Sequence, residues 1–265
     1  MLIFLFNKFY GVSLKLNSIF FLNLSFKLFN KPLIVRKAGQ YYKINSEGES
    51  IYIHNLRRIY IYLDRTIGVK KRLDHLFDEY FLNDIQFNDK DIVVDCGAHL
   101  GELSYYFKDK EIIYYAFEPS STLQTCLEIN VKSNIKDYEI INRPLLDVEK
   151  QVKLYLRDDS GDTSIEKDYE SESESVESLK LDNFFDRNIK IKLLKIDAEG
   201  YELEVLNGSL NIFKNIEYIS VDLGFEREKG TVNTFDSVNK LLTENNFKFI
   251  KPNKIRMTYL YQNLR

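Results

Sequence analysis

The chain has little of what staples or ligates: among 265 residues there are two cysteines, three histidines and no tryptophan. Cys96 and Cys126 lack the short spacing of a zinc site, which argues against a structural metal framework and fits two structural thiols in a reducing, cytoplasmic compartment. Long hydrophobic runs are missing as well. The longest uncharged stretch near the start, residues 16–26, falls short of the roughly 20 residues that cross a bilayer. No small-residue cleavage site follows a single apolar block, so a secretory signal is not expected. There is no excess of positive charge, with 37 Lys and Arg against 40 Asp and Glu and a net charge of −3. Nucleic acid is therefore not an expected partner, since phosphate-binding surfaces are basic overall or along a stripe.

One absence is local. Residues 1–46 contain Lys8, Lys15, Lys27, Lys31, Arg36, Lys37 and Lys43 but no acid, the first being Glu47. Apolar runs at 1–6 and 19–22 accompany these cations. Two readings stay open: peripheral contact with an anionic membrane surface, or helices packed on the rest of the chain or on a second subunit. For the remainder, 44% hydrophobic and 29% charged residues describe a soluble globular protein, and the length suits one sizeable α/β domain. The expected division is an N-terminal extension over 1–56 and a catalytic domain over 57–265.

Val69, Leu73, Leu76, Phe77, Tyr80 and Phe81 recur at helical spacing, predicting an amphipathic helix over about 66–82. Strand and helix then alternate. A strand at Ile92-Val93-Val94 leads to a helix from about Gly101, and a strand over 112–117 leads to a helix capped by Ser120 or Ser121. Further strands are expected over 138–141, 190–196 and 216–221, helices over 200–210 and 234–245, and a closing hairpin from 247–250 and 256–261 around Pro252-Asn253. Such alternation implies a parallel sheet covered on both faces. Residues 151–157 and 163–165 read as a small β insertion. The Glu-Ser repeat 170–175, within an acidic stretch 158–178, reads as a solvated loop or as a flap over substrate.

The chemistry concentrates at strand ends. In Val93-Val94-Asp95-Cys96-Gly97-Ala98-His99-Leu100-Gly101-Glu102 a strand enters a glycine-containing turn and then a helix. Gly97 and Gly101 would let a ligand approach the backbone, with free N–H groups at the helix start. Asp95 stands where open α/β sheets bind ligands and can accept from an ammonium group; Glu118, ending the next strand in Ala116-Phe117-Glu118-Pro119, can accept from two ribose hydroxyls. The turn lacks the middle glycine of G-x-G-x-x-G, the one that admits a pyrophosphate, so NAD or FAD is disfavoured. A third strand end, Lys195-Ile196-Asp197-Ala198-Glu199-Gly200-Tyr201-Glu202, puts Asp197 at the same edge. Glu199 is either a functional acid or an acid favoured by a helix start. Asp222 ends the neighbouring strand.

Taken together, 95–101, Phe117-Glu118-Pro119 and 195–202 resemble the FkbM family of methyltransferases, with its D-x-G-A-N-x-G turn, F-E-P strand end and K-I-D-x-E-G-x-E motif. The likeness spans about 57–262 and includes Gly68, Arg72 and Tyr80, Asn130 and Asn134, Leu181-Asp182, and 221–227. His99 departs from it, replacing the usual Asn, and is read as a turn residue and not a base. The resemblance implies a Rossmann-like class I methyltransferase fold: a mostly parallel seven-stranded sheet with a C-terminal antiparallel hairpin, preceded by a helical extension. It further implies S-adenosylmethionine as cofactor, held by Asp95, Gly97, Ala98, His99, Gly101, Glu102, Glu118, Pro119 and Asp147. The implied reaction is O-methylation of a sugar hydroxyl in a glycan or of a secondary-metabolite hydroxyl. Asp197 is the expected general base, with Glu199 or Asp222 in support. A variant has Asp197 and Asp222 hold a divalent cation that acidifies the hydroxyl; it is not the favoured one. Rival readings are an NAD-dependent oxidoreductase and a non-catalytic cofactor-binding module. A base-amine nucleic-acid methyltransferase would be expected to carry an N/D-P-P-Y/F tetrapeptide, which the sequence lacks.

Overall fold

The computed structural model describes residues 2–63, 67–156, 163–164, 172–227, 232–253 and 255–265. Helices α1 (Leu2–Lys15) and α2 (Ile19–Leu28) open the chain and are followed by an antiparallel meander, β1 (Ile34–Ala38), β2 (Tyr41–Ser46) and β3 (Glu49–Ile53). The extension is thus not purely helical. Glu47 and Gly48 both adopt positive φ between β2 and β3, the conformation that a two-residue hairpin needs to match the strands' twist. Helix α3 (Val69–Glu79) buries Val69, Leu73, Leu76 and Phe77, the stripe that its periodicity predicts.

The central unit follows as β4 (Ile92–Cys96), β5 (Ile113–Phe117), α4 (Gln124–Asn134) and β6 (Asp137–Ile141). The helix expected at Gly101 is a short 3-10 turn over Glu102–Phe107. The Ser104 N–H and hydroxyl both donate to the Gly101 carbonyl, and such competition from a serine side chain favours the tighter i to i+3 pattern. Neither Ser120 nor Ser121 caps α4, which begins later at Gln124; the Ser120 N–H instead donates to Glu118 at 2.9 Å.

An inserted sheet comprises β7 (Gln151–Leu156), β8 (Thr163–Ser164) and β9 (Glu172–Glu177), with β7 central and antiparallel to both. The latter part of the Glu-Ser repeat is therefore strand, not loop. Its two-residue alternation matches the strand period, with Glu174 and Val176 half-buried between exposed Ser173, Ser175 and Glu177. Ile165, Glu170 and Ser171 lie outside the described residues. The chain continues through α5 (Leu181–Phe184), β10 (Ile191–Ile196), α6 (Glu202–Asn207), β11 (Ile216–Asp222), the short pair β12 (Phe225–Arg227) and β13 (Val232–Asn233), α7 (Phe235–Glu244), and the hairpin β14 (Phe247–Pro252) and β15 (Thr258–Asn263).

The main sheet has seven strands in the order β14-β15-β11-β10-β4-β5-β6. Only β15 runs against its neighbours, as the seven-stranded arrangement with a closing hairpin requires. Successive residues in its strands point to opposite faces and feed two cores: Val93 and Leu193 enter one, Val94 and Leu194 the other. The first core also contains Phe6, Leu22, Phe26, Val35, Ile44 and Ile51, so the N-terminal helices and meander are packed into the sheet's own interior. Asn130 locks them there. Buried on α4, its side-chain amide donates to the Tyr52 and Leu100 carbonyls and its oxygen accepts the Tyr52 N–H. From β4 the chain moves outward to β5 and β6, then returns on the other side through β10. That reversal opens a crevice at the carboxyl ends of β4 and β10, the place where open α/β sheets bind ligands.

Candidate active site

Two loops meet at the reversal. The Asp197 N–H donates to the Cys96 carbonyl at 3.0 Å, and a side chain on Gly97, whose φ is +74°, would put Cβ 1.9 Å from the Asp197 carbonyl oxygen. Gly101 is required for a similar reason, since its Cβ would sit 2.8 Å from Val131 on α4. Both glycines were expected to admit a ligand. Gly97 admits the facing backbone and, with Ala98, also lines the cavity at this reversal, whereas Gly101 admits α4 and does not line it. The amides expected to be free are also engaged: Gly97 and Ala98 N–H donate to the Phe117 carbonyl, His99 N–H to Glu118, and Leu100 N–H to Glu102.

His99 adopts φ +52°, a left-handed conformation that Asn and His tolerate better than most residues. Its Nε2 lies 3.0 Å from the Arg58 guanidinium and its Nδ1 3.2 Å from Glu102. A guanidinium only donates, so Nε2 accepts and Nδ1 carries the proton toward Glu102. Burial works against ionisation of Glu102, yet adjacent His99 and backbone N–H groups hold its carboxyl down to about 2. Glu118 is buried, with one oxygen accepting from His99 N–H at 2.9 Å and the other from Ser120 N–H at 2.9 Å. Burial pushes its carboxyl up, and those two bonds oppose the shift.

These groups, with Pro119, line one wall of a cavity of about 290 Å³. Arg143, Pro144 and Leu145 continue that wall; Asp197, Ala198, Glu199 and Tyr201 face it, and Arg58, Tyr60, Arg72, Tyr80 and Arg256 close the remainder. Asp147 is exposed beyond Leu145 and Leu146 and does not line the cavity. Asp95 does not line it either. Fully buried, it is ion-paired with Lys195 Nζ at 2.9 Å and accepts from the Tyr114 hydroxyl. Lys195 also donates to the Cys96 and Gly97 carbonyls at 3.1 and 2.6 Å, so Asp95 reaches the cavity only through this lysine. Burial disfavours the ammonium, but Asp95 and Asp197 outweigh it and raise the lysine's pKa.

Asp197 Oδ2 accepts from the Tyr80 hydroxyl at 2.5 Å and from Arg256 at 3.0 Å, while Oδ1 is buried and has no hydrogen-bond partner among the described residues. Burial would raise this carboxyl; Arg256 and Lys195 reverse the effect and lower it. Asp222 is brought close, as expected, but behind Arg256, whose Nε donates to it, and it does not line the cavity. Burial and the neighbouring Asp197 raise the Asp222 carboxyl. The position between the two aspartates is thus filled by a guanidinium, whose fixed positive charge repels a cation. No cluster of three His, Cys, Asp or Glu suited to a metal occurs among the described residues. The two aspartates do not fit the metal-site reading.

Glu199 lines the cavity. It lies in a loop before α6 with φ +50°, so it is not a first-turn helix acid; Glu202 and Glu204 are. Glu202 is fully buried and organises that loop, accepting from Gly200 N–H at 2.9 Å, Ala198 N–H at 3.3 Å and the Thr234 hydroxyl at 3.0 Å. Burial pushes its carboxyl up to about 7.

Arg58, Tyr80, Lys195 and Arg256 line the cavity without having been candidate site residues, Tyr80 and Lys195 entering the sequence reading only as parts of the family likeness. Lys195 does carry a signal, a lone cation in the buried strand Leu193-Leu194-Lys195-Ile196. Arg256 carries none, because only the β14–β15 hairpin brings it across to β10.

A family model described as a methyltransferase FkbM domain matches residues 95–249. No curated protein is a significant match. Among solved structures, the chain is similar to an rRNA methylase from Streptococcus thermophilus, at 14% identity over 71% of this chain and 95% of that one, TM-score 0.44. It is also similar to an S-adenosylmethionine-dependent methyltransferase from Clostridium acetobutylicum, at 12% identity over 78% and 96%, TM-score 0.43. A third is a magnesium protoporphyrin IX methyltransferase from Synechocystis with bound SAM, at 10% identity over 77% and 88%, TM-score 0.42.

Two outcomes follow from the buried charges. Lys195→Met leaves Asp95 buried without its partner and should cost about 3–5 kcal/mol in urea unfolding, partly recovered when Asp95→Asn is added; a single-variant loss below about 1 kcal/mol would contradict this role. Glu202 has a folded-state pKa above its ordinary value of 4.5. It therefore favours the fold when protonated, fully below pH 4.5, and that contribution is lost as the pH rises toward 7. The stability of Glu202→Gln relative to the parent should improve by about 3 kcal/mol between pH 4.5 and 8, and a pH-independent difference would refute the assignment.

Proposed function

The chain belongs to the FkbM methyltransferase domain family, and from that premise we propose that it is an S-adenosylmethionine-dependent O-methyltransferase acting on a sugar hydroxyl of a glycan or on a secondary-metabolite hydroxyl. The observation that carries the reading is the convergence of Glu118 and Asp197 on one cavity at the sheet's reversal. Each Glu118 oxygen accepts one N–H and retains lone-pair capacity, which suits it to the two ribose hydroxyls of a nucleoside. When bound, S-adenosylmethionine supplies a methyl group on a sulfonium that departs as a neutral thioether. Asp95 contributes as a positioning residue, fixing Lys195 and with it the 96–97 carbonyls.

An alcohol must lose its proton as it attacks. Asp197 is the acceptor in this proposal: Tyr80 and Arg256 engage Oδ2 and set the carboxylate's orientation at the cavity wall. Its lowered pKa keeps it ionised at neutral pH but makes it a weak base. Its contribution belongs near the lower end of the roughly 10²- to 10⁴-fold typical of proton transfer, and in-line alignment of the acceptor supplies the larger share, about 7–11 kcal/mol. In this proposal Asp222 acts through Arg256, and Glu199, which lines the cavity, contacts the acceptor. We place the reaction in a reducing, cytoplasmic compartment, consistent with the buried free thiols Cys96 and Cys126, and with a small-molecule or glycan acceptor in preference to nucleic acid, given the net charge of −3.

S-adenosylhomocysteine at a hundred times its Kd should raise the melting temperature by about 5–10 °C while NAD leaves it unchanged; the reverse pattern would favour the oxidoreductase, and no response to either would remove the cofactor site. Asp197→Asn should keep the S-adenosylhomocysteine Kd within about threefold while kcat, read with labelled S-adenosylmethionine on envelope glycan extracts, falls by roughly a hundredfold or more. Undiminished turnover would take the base role from Asp197, label appearing in RNA would redirect the acceptor class, and a parent protein that binds without any turnover would point to a non-catalytic module.

A further inference from the structure

The first two helices expose far more apolar surface than the fold uses. On α1, Phe6 and Ser13 are buried, with Tyr10 and Leu14 packed beside them. Leu5, Phe9, Val12 and Leu16 are 43%, 45%, 49% and 59% exposed. Their spacing of four, three and four residues aligns them as one outward stripe. On α2, Leu22, Ser25 and Phe26 face inward, while Phe20, Phe21 and Leu28 are exposed, Phe20 at 71%. With Phe4, eight of the 16 large hydrophobics exposed among the described residues fall within residues 4–28, which makes this a patch and not a scatter of single side chains.

Cations border the patch. Lys8 and Lys15 lie two helical turns apart alongside the α1 stripe, Lys27 is exposed on α2, and Arg36 and Lys37 are exposed on β1. None of these five forms an ion pair among the described residues, and residues 1–46 contain no acid to pair with them. The absence of acids discriminates between occupants. A two-fold interface with a second copy would bring the same unpaired cations together, whereas a lipid surface supplies phosphates at its level and hydrocarbon just below it. No helix among the described residues is long and apolar enough to cross a bilayer, so the contact is in-plane.

We propose that the α1–α2 hairpin is a peripheral membrane-docking surface, its outward aromatic and aliphatic stripes entering the headgroup boundary of an anionic leaflet while Lys8, Lys15, Lys27, Arg36 and Lys37 meet the lipid phosphates. This assignment is independent of the methyl-transfer reading. The test is co-sedimentation of the full chain with vesicles of phosphatidylcholine alone or with about 30 mol% phosphatidylglycerol, alongside sedimentation velocity of the lipid-free protein. Partitioning should be at least about tenfold stronger on the anionic vesicles and should fall steeply in high salt. Phe9→Ser combined with Phe20→Ser should lower it by about tenfold or more without changing the melting temperature. Equal partitioning on both vesicle types, none on either, or a lipid-free dimer that the double substitution dissolves would overturn the proposal.

Discussion

The approach of the Gly97 α-carbon to the Asp197 carbonyl fixes the geometry on which everything else at the sheet edge rests. It brings the first and fourth parallel strands' loops into direct contact at the point where the chain reverses, and it leaves no room there for any side chain. Lys195 seals the junction from beneath, its ammonium shared among the Asp95 carboxylate and the carbonyls of Cys96 and Gly97. A buried pair of this kind contributes little net stability, because desolvation offsets most of the Coulombic gain. Its value lies in register: the cation joins two strands and the turn at one atom.

From that junction the carboxylates acquire different characters. Asp95, Asp197 and Asp222 all end parallel strands, yet only Asp197 lines the cavity. Arg256 makes the difference. It occupies the space between Asp197 and Asp222, lowers the first while burial raises the second, and supplies the positive charge for which a divalent ion had been a candidate. On the opposite wall, Arg58 donates to the His99 ring and the ring to Glu102, while the His99 backbone N–H separately donates to Glu118. Backbone N–H groups that a glycine-rich phosphate loop would offer to its ligand are here engaged with protein.

The N-terminal residues complete the site. Arg58, Tyr60, Arg72 and Tyr80 close the cavity from segments that the sheet does not contain, and they are held by a core shared with α1, α2 and the meander. Asn130 shows how tightly the parts are joined: one amide connects α4, the edge of β3 and the Leu100 carbonyl of the first turn. The inserted sheet reaches the same region, with Glu174 on β9 bonding the Ser121 N–H and hydroxyl just past Glu118.

Residue order alone determined the alternation of strand and helix, the acids at three strand ends and the closing hairpin, because strand period, helix period and turn chemistry are local properties written in neighbouring residues. It also determined the acid-free, apolar character of residues 1–46. Tertiary structure decided which strand-end acids face the cavity, that Gly101 serves α4 while Gly97 serves the facing loop, and that Asp147 stands apart. It also decided that Ser120, which looked like a helix cap, supports Glu118, and that the second half of the Glu-Ser repeat is strand. The physical reason is common to these cases. Whether a carboxylate meets a ligand or a buried lysine, and whether a glycine yields to substrate or to backbone, depends on partners such as Lys195 and Arg256. Lys195 stands 100 residues from Asp95, and Arg256, in the turn between β14 and β15, stands 59 residues from Asp197, separations at which local spacing carries no information.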